Sequence, residues 1–192
     1  MLTAMTEFNP SLLLNLSSIE NLDVDDLISL PKGFRYELHN GNLVVMTPST
    51  FWHKEMTGRL YFMLRLAGLR VFQDPGVRGA RPRDLRLPDV GVVTHLPAGM
   101  TNYSNLSPSA YSLVVEVVSK NSPNGEFLEK KLWYAEHGIP EYWIVEETPD
   151  ACDDDGVVTI MRLDETGDEP DYPKERTLLV SELEAEYRAG QA

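Results

Sequence analysis

Apolar positions along this 192-residue chain recur with two periods, and the switches between them mark its elements. Residues 111–119, YSLVVEVVS, form a nearly unbroken β-branched run, the pattern of a strand buried on both faces. One acid, Glu116, interrupts it. Helical spacing follows from near Pro123 to His137, and Gly138 stands where it would stop that helix. IPEYWIVE then reads as a second strand. The centre of the chain is therefore strand, helix, strand.

The flanking segments extend this alternation. Residues 21–31, NLDVDDLISLP, predict a short helix, with acids at its start and Pro31 after its end. FRYEL and NLVVM flank Asn40-Gly41, the dipeptide favoured in a tight type I′ turn, and predict a hairpin. Thr50 or Ser49 can cap a helix whose apolar stripe is Met56, Leu60, Met63, Leu64 and Ala67, ended by Gly68. Residues 70–84 predict a second hairpin turning at Pro75-Gly76. DVGVV reads as a strand opening after Pro88, and residues 95–110 as a long surface loop. GVVTIMRL and ERTLLV predict further strands. Ser181 with Glu184 three residues on has the form of a capping box for a last short helix.

No internal repeat divides the chain. Residues 1–24 read as a loosely ordered lead-in, and 25–192 as one domain whose acidic C-terminal part extends the sheet. The alternation of strands and helices predicts the α/β class. Cys152 is the only cysteine, which excludes an internal disulfide. No apolar run reaches the ~20 residues of a membrane span, and no lysine or arginine precedes the short SLLLNL run near the start. A cytoplasmic location is expected, with no membrane partner.

Charge narrows the functional classes. Fourteen acids and four bases beyond residue 146 supply −10 of the net −13, so the rest of the chain is nearly neutral. Such a chain does not suit strong sequence-independent binding to nucleic acid, which depends on Lys and Arg neutralising phosphates. A local basic groove for a nuclease remains compatible with it.

Two acids carry the candidate chemistry. Glu116 lies among valines, where burying a carboxylate costs several kcal/mol unless something pairs with it. Asp89 follows Pro88 at the start of another apolar strand. Brought to one pocket, the two would offer hard oxygen ligands to Mg²⁺ or Mn²⁺. Such a cation polarises a phosphoryl oxygen and acidifies water. A nearby lysine would offset developing charge.

Pro88-Asp89, Glu116 and a following lysine resemble the PD-(D/E)XK nuclease pattern. The longer run is YELHNGNLVVMTPS, His53, PDV, LVVEVVSKNSP and EFLEKKLWYAEHGIPEYWIVE. It is similar to the Uma-type putative restriction endonuclease family over roughly residues 34–147. The resemblance implies a restriction-endonuclease-like core, with a central mixed sheet flanked by helices, and a metal-dependent DNA endonuclease. It places Asp89 and Glu116 as metal ligands, Lys130 as the site lysine and Glu37 as an accessory ligand or base. It also implies DNA as substrate and a homodimer to cut both strands. Val118 departs from the wider pattern, since the superfamily lysine stands two residues after the acid. Lys131 and Lys120 are rivals to Lys130.

Plainer readings stand beside these. Lys130 with Glu126 has the spacing of a surface ion pair. His53 suits packing or capping; Tyr134, Tyr142 and Trp143 suit the core; Asp153 to Asp155 suit a solvated turn. A non-catalytic protein-binding module that keeps a nuclease-like core is the alternative function.

Overall fold

The computed structural model describes residues 21–46, 48–99, 104–118 and 126–190. Among the described residues, two mixed sheets are built from eleven strands. The strands are β1 (Arg35–His39), β2 (Asn42–Met46), β3 (Val71–Gln73), β4 (Gly76–Arg78), β5 (Leu85–Arg86) and β6 (Val90–Val93), then β7 (Asn105–Leu106), β8 (Tyr111–Val118), β9 (Glu141–Glu147), β10 (Gly156–Arg162) and β11 (Lys174–Leu179). The central sheet has six strands in the order β11-β10-β9-β8-β6-β3, and a smaller five-stranded sheet runs β2-β1-β5-β4-β7. Strands β8 and β9 are parallel, joined by a π turn (Glu126–Lys130) that leads into helix α2 (Lys131–Glu136). The expected α/β architecture, a mixed sheet flanked by helices, is present.

Period-two alternation in β8 divides the core. Leu113, Val115 and Val117 pack with Met56, Leu60 and Leu64 of helix α1 (Phe51–Leu66) and with Val180 and Leu183 of helix α3 (Val180–Ala189). Val114 and Val118 face the other way, onto Trp133, Tyr134 and Ala135 of α2 and Val77 of the small sheet. Glu116 shares that second face by the same alternation. The β1–β2 hairpin turns at Asn40 and Gly41, whose φ values of +52° and +93° suit a type I′ turn. Thr50 caps α1 by accepting the His53 N–H, and Gly68 follows its end at φ +81°.

Several expectations need correction. Residues 70–84 do not form a hairpin at Pro75-Gly76. β3 pairs with β6 in the central sheet, whereas β4 pairs with β5 and β7 in the small one. Asp74 takes φ +50° and turns the chain out of one sheet into the other. Turn residues announce a change of direction but do not choose a pairing partner. Residues 21–31 hold only a 3₁₀ turn, Asp26–Ser29, started by the Asp23 carboxylate accepting the Asp25 and Asp26 N–H groups. Leu22 and Val24 are already buried. The stretch 95–110 contributes β7 and a short 3₁₀ turn (Pro108–Ala110).

α3 is not capped as expected either. It starts at Val180, and Glu182, not Glu184, accepts the Leu179 N–H. Ser181 instead donates its N–H and hydroxyl to Asp155, while Glu184 holds Arg59. Asp155 is thus more than a solvated turn acid. Burial pushes its carboxyl up, but the Ser181 and Gly156 donors and Arg59 outweigh this and hold it below the usual carboxylate range. A depressed folded-state value means stability that is present at neutral pH and lost as pH falls through that value. Ser181→Ala is expected to cost about 1 kcal/mol, and Asp155→Asn to flatten the acid side of a stability–pH curve, both read by thermal unfolding.

Candidate active site

Glu116 and Asp89 meet through sheet register. β6 and β8 are antiparallel with Val90 opposite Val115. Continuing that register sets Asp89 opposite Glu116, and opposed residues of an antiparallel pair project from one face. Asp89 Oδ2 also accepts the Val117 N–H at 2.8 Å, across the same strands. The small sheet brings a third acid. Glu37 lies in β1, and its Oε1 accepts the Leu87 N–H at 2.7 Å, just beyond β5. The π turn before α2 delivers Lys130 between the acids. Its Nζ lies 3.1 Å from Glu37 Oε1 and donates to both carboxylate oxygens of Glu116, at 3.1 and 3.2 Å.

All four predicted residues are buried, so each carboxylate needs compensation. Glu37 has it. Burial pushes its carboxyl up, yet the His39 hydrogen bond, Lys130 and the Leu87 N–H bring it down to about 2. Glu116 does not. Burial dominates; Lys130 opposes it, Asp89 and Glu37 add repulsion, and the result is pushed up to about 8. The Tyr134 hydroxyl donates to Glu116 Oε1 at 2.8 Å and fixes that side chain. Asp89 lies below its ordinary range: burial raises it, but His53, Arg35 and the Val117 N–H outweigh that.

Residues not predicted for the site complete it. Arg35 Nη1 donates to Asp89 Oδ1 at 3.2 Å and Nη2 to the Leu87 carbonyl at 3.2 Å, with Asp74 Oδ1 2.7 Å from Nη2. His39 Nε2 lies 2.6 Å from Glu37 Oε2. Arg35, Glu37 and His39 alternate along β1, so a period-two reading of that strand would have put them on one face. His53 is more than a packing residue. Its Nε2 lies 3.2 Å from Asp89 Oδ2, and Thr57 Oγ1 lies 3.5 Å from its Nδ1. Spacing was a signal here too, because His53, Thr57, Leu60 and Leu64 form one stripe of α1. Tyr134 is core, as expected, but its hydroxyl serves Glu116. Tyr142 packs on Tyr134 and Tyr172, and Trp143 lies in the core beneath α1. Lys131 turns outward to Asp171 at 2.8 Å. Lys120 lies outside the described residues.

The donor set suits a hard divalent cation. Mg²⁺ takes one or two protein carboxylates and keeps its remaining ligands as water or phosphate. Among the described residues no group of three or more His, Cys, Asp or Glu is gathered as a metal cage. Asp89 and Glu116 are oxygen donors of the kind that such a smaller set needs. Burial chiefly drives Glu116 toward protonation, and the repulsion that Asp89 and Glu37 add to it is negative charge that a cation would relieve.

The chain matches the family described as "Uma2: Putative restriction endonuclease" over residues 23–191. Among solved structures it is similar to a crystal structure of a "putative nuclease" from Anabaena variabilis, at 15% identity and a TM-score of 0.59. The likeness covers 82% of this chain and 83% of that one, and at this identity it bears on the fold. No curated protein matches the sequence. No helix among the described residues is long and apolar enough to cross a membrane.

Proposed function

The chain belongs to the Uma2 family of putative restriction endonucleases, and from that premise we propose that it is a metal-dependent endonuclease that hydrolyses DNA phosphodiester bonds. Asp89 and Glu116 would hold Mg²⁺ or Mn²⁺, which supplies Lewis-acid polarisation of the phosphoryl group and a more acidic attacking water. The observation that carries this reading is the convergence of Glu37, Lys130 and Glu116 from three separate elements, with Asp89 opposite Glu116.

The protein's own groups have separable tasks. Glu37, held as a carboxylate, pairs with Lys130 and fixes it in place. Lys130 then presents a charged donor beside Glu116, where it orients water and offsets negative charge on the phosphoryl oxygens. Tyr134 and His53 fix the two ligand carboxylates. Arg35 adds a partly exposed guanidinium at the edge of the site, suited to a phosphate oxygen.

The direct test is nicking of supercoiled plasmid. Wild-type protein with Mn²⁺ or Mg²⁺ is expected to convert supercoiled to open-circular DNA, and chelator is expected to stop it. Asp89→Asn is expected to lower the rate by at least 100-fold while the far-UV circular dichroism stays the same. If micromolar wild-type protein leaves both the plasmid and a single-stranded oligonucleotide intact in both metals, the endonuclease reading fails and a non-catalytic binding module replaces it. Cytoplasmic location and homodimerisation belong to the same proposal; sedimentation of the DNA-bound protein tests the latter.

A further inference from the structure

A cleft of about 500 Å³ adjoins the carboxylate site. Arg35 and Asp74 form part of its wall, and Arg35 reaches directly to Asp89. Leu87, whose N–H holds Glu37, lines it as well. The cleft therefore opens onto the same groups that surround Asp89 and Glu37. Its other walls mix apolar and aromatic side chains, Ile28, Phe34 and Tyr36 among them, with the Arg78–Asp25 ion pair and Asn105. Ile28 is 86% exposed and Phe34 51% exposed. The rings of Phe34 and Tyr36 lie 6.3 Å apart and tilted by 51°, so they do not cover one another face to face.

Resting on the endonuclease reading, we propose that this cleft receives one unpaired nucleobase of the strand being cut. The phosphate of that nucleotide lies toward Arg35, and the base lies against Phe34. The substrate class is then single-stranded, flapped or frayed DNA rather than continuous duplex.

Three observations favour this occupant. The volume falls within the range of small-ligand pockets and suits a nucleoside, whereas a base inside a duplex must first leave its stack. The charge of the cleft is balanced: Arg35 faces Asp74 at 2.7 Å and Arg78 faces Asp25 at 2.8 Å, in a chain of net charge −13. A duplex bound mainly through its phosphates finds little net positive charge here. Stacking on an exposed aromatic ring adds to the binding of each base without regard to sequence, beside the phosphate contact at Arg35.

The test is fluorescence anisotropy with the full chain in Ca²⁺, using a labelled 12-nucleotide single strand and the blunt duplex of the same sequence. Strand integrity is checked on a gel afterwards. The single strand is expected to bind at least about tenfold tighter than the duplex. Phe34→Ala is expected to weaken single-strand binding by about tenfold, the loss of one stacked base, with no change in thermal midpoint. The dependence on salt is expected to be shallow, roughly that of one or two phosphate contacts. Equal or tighter duplex binding, or an unchanged affinity in Phe34→Ala, overturns the assignment. If plasmid nicking persists in that case, the endonuclease reading stands and only the cleft's role falls. If neither probe binds and no nicking occurs, both fall together.

Discussion

Lys130→Met is expected to abolish metal-dependent nicking and to lower the thermal midpoint by about 10 °C. The amine is 2% exposed and lies within 3.1 to 3.2 Å of Glu37 and Glu116. Removing one partner of a buried ionic cluster typically costs about 3–5 kcal/mol, because the opposing charge stays behind without water. For a chain of this length each kcal/mol shifts the midpoint by about 2–4 °C. The loss has a pH signature through Glu37, held at about 2 against an ordinary 4.5. A depressed carboxyl contributes stability above its ordinary value and loses it as pH falls toward its folded value. The wild-type contribution, at most about 3 kcal/mol, therefore disappears between pH 4.5 and 2. In Lys130→Met the carboxyl loses a cation, so acid unfolding begins at higher pH. Lys131→Met is the control. Its ion pair with Asp171 is partly exposed, so stability should change by less than about 1 kcal/mol. If Lys130→Met unfolds and cleaves like wild type, the lysine is misassigned.

Arg35→Ala is expected to move metal affinity and turnover in opposite directions. Its guanidinium sits 3.2 Å from Asp89 Oδ1, so it competes with any cation that approaches that carboxylate. Unit charges about 4 Å apart interact by about 4 kcal/mol at an effective dielectric of 20. Partial exposure of Arg35 and salt screening reduce this to a smaller effect. Titration calorimetry should show Mg²⁺ or Mn²⁺ bound about tenfold tighter in the variant. Nicking should slow by tenfold or more, because the phosphate loses a nearby cationic donor. Arg35→Lys should recover part of the rate but not the fork geometry. A weaker metal affinity in Arg35→Ala would mean that the arginine shapes Asp89 for the ion rather than opposing it.

Much of the fold was legible because it follows from local rules. The β-branched run of β8, the helical stripe of α1, and the Asn40-Gly41 turn each carry their own signal. Glu116 stood out because a lone acid among valines needs a partner. Its partners were harder to see. That Asp89 faces Glu116 depends on the β6–β8 register, a contact between residues 27 apart that no local pattern encodes. Choosing Lys130 over Lys131 depends on the π turn, which directs the first inward and the second toward Asp171. The β3–β4 hairpin was misread because Pro75-Gly76 marks a turn whichever sheet receives the next strand. Arg35 and His39 carry no motif of their own, and His53, part of the family-like run, reads as a packing or capping residue, although strand alternation and helical spacing place each beside a recognised element.

The chain's passage between its two sheets has a consequence for how relatives can differ in length. Asp74 donates its N–H to the Asp89 carbonyl and sits beside Arg35 in the same short crossing. A Cβ on Gly91 would come within 2.7 Å of the Pro75 ring, so this connection is seated against β6 with no slack. An extra residue there would slide the layer bearing Glu37 against the layer bearing Glu116 and pull apart groups that must stay within a hydrogen bond of one lysine. Added residues are expected to be tolerated instead at the periphery, such as the exposed acidic turn before β10, and an insertion in the crossing is expected to separate the two layers of the site.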